Sequence, residues 1–80
     1  MARLRLFAAA REAAGTSEDV VSGSTVADVL AEAEKRYGGA FADIVRSSKV
    51  WLNGEECDMA SVVTDTDEIA VLPPVSGGAL

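Results

Sequence analysis

Between Ser24 and Gly39 the chain reads STVADVLAEAEKRYGG, the clearest helical pattern in its eighty residues. Val26, Val29, Leu30, Ala33 and Tyr37 recur at the spacing of one helical face. Glu32, Glu34, Lys35 and Arg36 lie mostly off that face. Ser24 or Thr25 can cap the start, and Asp28 stands where a capping-box acid would stand relative to Thr25. Lys35 and Arg36 suit the negative end of the helix dipole, and Gly38-Gly39 stops it. A single one-sided helix needs a flat apolar surface to cover, so the flanking segments should supply one sheet.

The flanks read as strands. In ARLRLFA, Leu4, Leu6 and Ala8 alternate with Arg3, Arg5 and Phe7, which marks a half-buried strand. Phe7 is the odd residue on the arginine side. It is either covered by a neighbouring segment or part of an apolar partner-binding patch. AAREAAG follows as one or two helical turns closed by Gly15. TSEDVVS is a short strand that ends by Gly23. AFADIVRSS is a short turn of helix with Phe41 and Ile44 inward. KVWLNGEEC runs into a hairpin turn at Asn53-Gly54. TDTD is a polar turn before EIAVL, whose near-continuous apolar run predicts a central strand buried on both faces or nearly so. A right-handed crossover through residues 26–37 places the third strand parallel to an earlier one. The expectation is an α+β chain of β-grasp architecture, the ubiquitin arrangement, with one mixed sheet packed by one main helix. Residues 1–74 form the domain, and residues 75–80 form a flexible tail.

Charge and composition narrow the function. Seven Lys and Arg face thirteen Asp and Glu, for a formal charge of −6. Such a surface repels phosphate backbones, so nucleic acid is an improbable partner and a basic protein a better one. The chain has no histidine, which removes the commonest general base and metal ligand. A chain this short buries about 60–65% of its surface, which disfavours a deep enclosed active site. Cys57 is the only cysteine, so no intramolecular disulfide forms. It follows Glu55 and Glu56, whose charges raise a thiol's pKa and make it a poor nucleophile. The N-terminal MARLRLFAAAR has arginines and an apolar run, but Leu6–Ala10 is too short for a secretion signal. No stretch reaches the length of a membrane span. A cytoplasmic location is expected, with no membrane contact. Asp58, Asp65, Asp67 and Glu68, alternating near Thr64 and Thr66, lack the spacing of a calcium loop and read as a solvated turn, so no metal site is expected.

The last ten residues, VLPPVSGGAL, carry the remaining signal. Pro73 and Pro74 have no amide hydrogen and leave the sheet as a stiff extended stretch. Ser76, Gly77 and Gly78 add almost no bulk, so such a strand fits a channel too narrow for larger residues. From Pro73 to Gly78 an extended chain reaches about 20 Å. That is enough to deliver a chain end into a partner's active site while the domain docks outside.

In this order and spacing the segments resemble the ubiquitin-like sulfur carriers of the ThiS/MoaD family, and most closely the small subunit of molybdopterin synthase. The resemblance rests on Phe7, Arg11, Glu12 and Gly15, on TVADVL, on VWLNGE, and on TDTDEIAVLPPVSGG. It implies that an E1-like enzyme uses ATP and Mg²⁺ to adenylate the carboxylate of Gly78, and that a sulfur donor then forms a thiocarboxylate. Gly77 would thread the channel of a larger, MoaE-like synthase subunit or another sulfur-accepting enzyme. Phe7, Leu72, Pro73, Pro74, Val75 and Ser76 would contact that partner. No tightly bound cofactor is implied for this chain, which is not catalytic alone. Family members usually stop at Gly-Gly, whereas Ala79-Leu80 follows here. The resemblance therefore implies trimming, by a metalloprotease in carriers of this kind, before Gly78 can react. Alternatives are a carrier for cysteine, thiamine or secondary-metabolite sulfur, a protein modifier joined through Gly78, and a plain docking module.

Overall fold

Alternation in ARLRL builds β1 (Ala2–Leu6), with Ala2, Leu4 and Leu6 buried and both arginines exposed. The structure, a computed structural model, describes residues 1–74. Val75, Ser76, Gly77, Gly78 and the following Ala79-Leu80 lie outside the described residues. After β1 come α1 (Ala8–Ala14), β2 (Glu18–Val21), α2 (Val26–Tyr37), α3 (Gly39–Ser47), β3 (Lys49–Leu52), β4 (Glu55–Glu56) and β5 (Glu68–Leu72). The sheet order is β2-β1-β5-β3-β4. β1 and β5 are parallel, and the other pairs are antiparallel. This mixed sheet with helices gathered on one face is a β-grasp.

The α2 helix follows its sequence signals closely. Thr25 Oγ1 accepts from the Asp28 amide at 3.2 Å, and the Thr25 carbonyl accepts from Val29. The amides of Val26 and Ala27 donate to the carbonyls of Ser61 and Met59 at 3.0 and 2.9 Å. The loop before β5 thus supplies the partners that a helix start lacks. Val26, Val29, Leu30 and Ala33 are buried, and Tyr37 packs edge-on against Phe41. Gly23, just before the helix, has no room for a side chain. A Cβ there would lie 2.7 Å from both the Val29 amide nitrogen and Val29 Cγ2.

Two expectations need correction. The segment after Gly38 is not a brief turn but a nine-residue helix, α3. Gly38 closes α2 with its amide and opens α3 with its carbonyl, which accepts from Ala42 at 3.1 Å. Phe41 and Val45 are buried there, while Ile44 is half-buried. The third strand does run parallel to an earlier one, β2, because β3 opposes β5, β2 opposes β1, and β1 and β5 share a direction, but the two are not hydrogen-bonded neighbours. β3 runs antiparallel to β5, and it is the last strand that pairs in parallel with the first. Finally, β5 is central as expected, but only Ile69 and Val71 are fully buried. Glu68, Ala70 and Leu72 are half-buried on the bare face.

The Asn53-Gly54 hairpin turn forms with both residues at positive φ, 53° and 85°. That is the pairing expected of Asn-Gly between two strands. Asn53 also ties this turn to the acidic one. Its side chain accepts from the Glu68 amide at 2.9 Å and donates to Asp67 at 3.0 Å. No helix among the described residues is long and apolar enough to cross a membrane.

Candidate functional site

Strand alternation sorts the sheet residues into two faces. One face lies under the helices. The other is bare and carries Arg3, Arg5, Glu18, Val20, Lys49, Trp51, Glu56, Glu68, Ala70 and Leu72. Phe7 continues the alternation beyond β1 in an extended backbone and joins this face. The Arg5 guanidinium sits 5.6 Å from the centre of its ring, a cation–π distance. Of the two readings open for Phe7, exposure decides. It is 38% exposed, with the Arg5 guanidinium over its ring.

Register gathers the apolar residues at one end of the bare face. Leu6 lies opposite Val71, so Phe7 and Leu72 end their strands side by side. Leu72 lies opposite Lys49, and Ala70 sits between Arg5 and Trp51. Phe7, Leu72, Ala70 and Trp51 therefore form one apolar block, with Trp51 36% exposed. Pro73, half-buried, and Pro74, exposed, leave the sheet from the edge of this block. The structure thus brings together Phe7, Leu72, Pro73 and Pro74. Val75, Ser76, Gly77 and Gly78 follow in sequence outside the described residues. Sequence reasoning missed Trp51 and Ala70. Alternation in KVWL sets Trp51 opposite to Val50, but four residues do not say which face is bare.

The block sits in a neutral surround. The charged strand residues of the bare face pair with one another: Arg3 with Glu68 at 3.9 Å, Arg5 with Glu18 and Glu68 at 3.8 Å, and Lys49 with Glu56 at 3.5 Å. Three cations meet three anions, so the formal −6 of the chain resides elsewhere. Exposed pairs of this kind add little stability. Their consequence is a face whose apolar centre is not surrounded by net charge.

The other sequence candidates do not form a reactive set. Cys57 is half-buried and donates weakly to the Val50 carbonyl at 3.6 Å. Burial pushes its thiol up, and Asp58 adds to this. The direction matches the sequence expectation, but the anion responsible is Asp58 rather than Glu55 or Glu56. Cys57 lines a hollow of about 460 Å³ with Leu52, Glu55, Glu56, Asp58 and Ser61, which offers acids but no base to activate a thiol. Asp67 is held below the usual carboxylate range by Asn53 and by the Thr64 amide and hydroxyl, which outweigh its slight desolvation. Among the described residues no group of three or more His, Cys, Asp or Glu is placed to hold a metal ion.

Comparison with known proteins now bears on this geometry. The family model described as the ThiS family matches residues 4–78. The chain belongs to the ThiS family. It is 34% identical to small archaeal modifier protein 3 of Haloferax volcanii, over 94% of this chain and 96% of that protein. It is 32% identical to a molybdopterin synthase sulfur carrier subunit of Phaeosphaeria nodorum, over 90% of this chain and 84% of that one. The solution structure of small archaeal modifier protein 1 from Methanosarcina acetivorans superposes with a TM-score of 0.86 at 34% identity, covering 96% and 95% of the two chains. This member of the ThiS family is a ubiquitin-like sulfur carrier or modifier of the ThiS/MoaD type.

Proposed function

We propose that this chain delivers sulfur as a thiocarboxylate on Gly78, as the small subunit of a molybdopterin synthase. One observation carries the reading. The central strand β5 ends at Leu72 inside the apolar block, and Pro73 and Pro74 lead directly on toward Gly77-Gly78. A partner seated on the block through Phe7, Leu72 and Trp51 has Pro73 and Pro74 at its edge. The tail then needs only to run outward, which two prolines favour.

The chemistry requires a free carboxylate, so Ala79-Leu80 is removed first. An E1-like enzyme holding ATP and Mg²⁺ then lets a Gly78 carboxylate oxygen attack the α-phosphorus, and pyrophosphate leaves. Hydrosulfide displaces AMP from the acyl adenylate and loses its proton, and the thiocarboxylate remains. Adenylation serves because a bare carboxylate has no leaving group. This chain contributes the docking face and the slender end. The partner contributes acid–base groups, consistent with the absence of histidine. The likeness to a named sulfur carrier subunit supports the molybdopterin branch.

The likeness to a named modifier supports a second reading, in which the activated Gly78 carbonyl is attacked by a target lysine amine. Intact mass of protein taken from its own host separates the readings. Loss of Ala79-Leu80 with exchange of one oxygen for sulfur is the expected result. Trimmed chain recovered only in conjugates of higher mass would select the modifier. A full-length chain that persists with activating enzyme, ATP, a sulfur source and host extract would falsify both and leave the docking module.

A further inference from the structure

The sheet has a free edge along β2, and the backbone there is not left open. In an antiparallel pair, residues alternate between bonding the partner strand and facing away from it. Leu6 donates to the Ser17 carbonyl at 2.9 Å, and the same alternation makes Leu4–Asp19 and Ala2–Val21 the bonded pairs of β1 and β2. The amides and carbonyls of Glu18 and Val20 therefore point outward. All four are taken by side chains. Thr16 Oγ1 donates to the Glu18 carbonyl at 2.9 Å and accepts from the Glu18 amide at 3.4 Å. Asp19 Oδ1 accepts from the Val20 amide at 2.7 Å. Arg36 Nη1 donates to the Val20 carbonyl at 3.3 Å. Arg36 is itself held by Asp19 Oδ2 at 2.7 Å, and the Tyr37 hydroxyl donates to the same oxygen. One carboxylate thus covers one backbone group and positions the cover of another.

These four groups are the set that a two-fold pairing of β2 with β2, centred on Asp19, would use. Glu18 of one copy would face Val20 of the other, twice, and each facing pair would exchange two backbone bonds. The pairing closes on itself, so it yields a dimer and not a fibre. Val20, 52% exposed, would gain cover from the opposing Glu18 stem. The same axis would bring the two Asp19 carboxylates together, which opposes pairing while both are charged. The charged or titratable groups that meet Asp19 from α2 are Arg36 and Tyr37. From β1 it meets only Leu4, and Arg3, Arg5 and Glu18 lie on the other face.

We propose that Asp19 keeps a latent dimer edge shut, and that removing or neutralising its carboxylate lets β2 pair with β2 of a second copy. The proposal stands apart from the sulfur-carrier reading, since it uses neither the tail nor the apolar block.

Sedimentation velocity of the full chain over a range of concentrations tests it. Wild type at neutral pH should stay monomeric, and Asp19→Ala should double in apparent mass as concentration rises. Adding Val20→Pro to Asp19→Ala removes an outward amide that an edge strand can spare, and should restore the monomer. An Asp19→Ala chain with wild-type circular dichroism that stays monomeric overturns the proposal, and so does a dimer indifferent to Val20→Pro. If Asp19→Ala does not fold, NMR of wild type decides. The Val20 amide shift should follow the Asp19 titration, and translational diffusion should slow through the same midpoint. Unchanged diffusion through that midpoint sinks the idea.

Discussion

Along β5, Ile69 and Val71 are wholly buried beneath the helices, while Glu68, Ala70 and Leu72 are half-buried on the bare face. The two sets alternate within five residues of one strand. Buried with them are Leu4, Leu6, Val29 and Phe41, a core with no polar or charged residue in it. The bare face has self-cancelling ion pairs and one apolar block at the tail root. The comparison teaches a division of labour: one face holds the molecule together, and the other can change its contacts at little cost to stability.

The sharpest way to break that division is in the core. Ile69→Ala, at the centre of the β1–β5 ladder, should cost about 2–5 kcal/mol, a large share of a small domain's stability and readable by urea denaturation. Gly23→Ala should come next, at about 1–3 kcal/mol, because its methyl meets the α2 backbone and cannot push it aside. Thr25→Ala should lose about 1 kcal/mol, since the Asp28 amide then lacks its acceptor. Leu72→Ser on the bare face should shift the urea midpoint less than Ile69→Ala does, yet strongly raise KM for an activating enzyme. A KM equal to wild type would remove the apolar block from the docking account.

Acid tests the comparison more finely. Burial works to raise the Asp19 carboxyl, but hydrogen bonds from Tyr37, Arg36 and the Val20 amide, with the Arg36 charge, outweigh it and hold the group below its ordinary 3.8. A lowered carboxylate stabilises the fold above its unfolded value, and that contribution is lost as pH falls through the folded one. Wild type should therefore lose stability on acidification below pH 4, and Asp19→Asn should lose less over the same range. The smallest expected effect is electrostatic. Because the net −6 lies off the bare face, a basic partner that docks there should associate more slowly in added salt while dissociating at nearly the same rate. Stopped-flow kinetics would show it, and a dissociation rate that climbs with salt would place charge inside the interface.

Local signals were legible in the sequence where local physics decides. Thr25 caps α2, Asn53-Gly54 turns the hairpin, and Val26, Val29, Leu30 and Ala33 face the core as their spacing predicts. What the sequence hid was long-range. Nothing in ARLRL or EIAVL says that they pair in parallel, because either strand satisfies a neighbour on both sides. Gly38-Gly39 reads as a stop, and only the bond from Ala42 to the Gly38 carbonyl shows it to be a joint between two helices. Phe7 stood out as the apolar residue on the arginine side of its strand, and Leu72 as the residue before Pro73-Pro74. Trp51 was not, since register with Ala70 is what brings it into the block. Nothing in TSEDVVS singles out Asp19, whose role depends on α2 bringing Arg36 and Tyr37 to it.

The parallel ladder between the first strand and the last has a consequence in time. A ribosome releases β1 early and β5 last, yet β5 is the strip that joins β1 to β3. Until residue 72 has emerged, β1 and β3 have no strand between them, and long-range pairings of this kind are the slow ones to form. The tail is the next thing made. A chain cut short before Glu68 during synthesis lacks the centre of its sheet and the Gly77-Gly78 tail together. The order of synthesis thus acts as an inspection: the glycine that an activating enzyme would take arrives only on a chain able to close its fold.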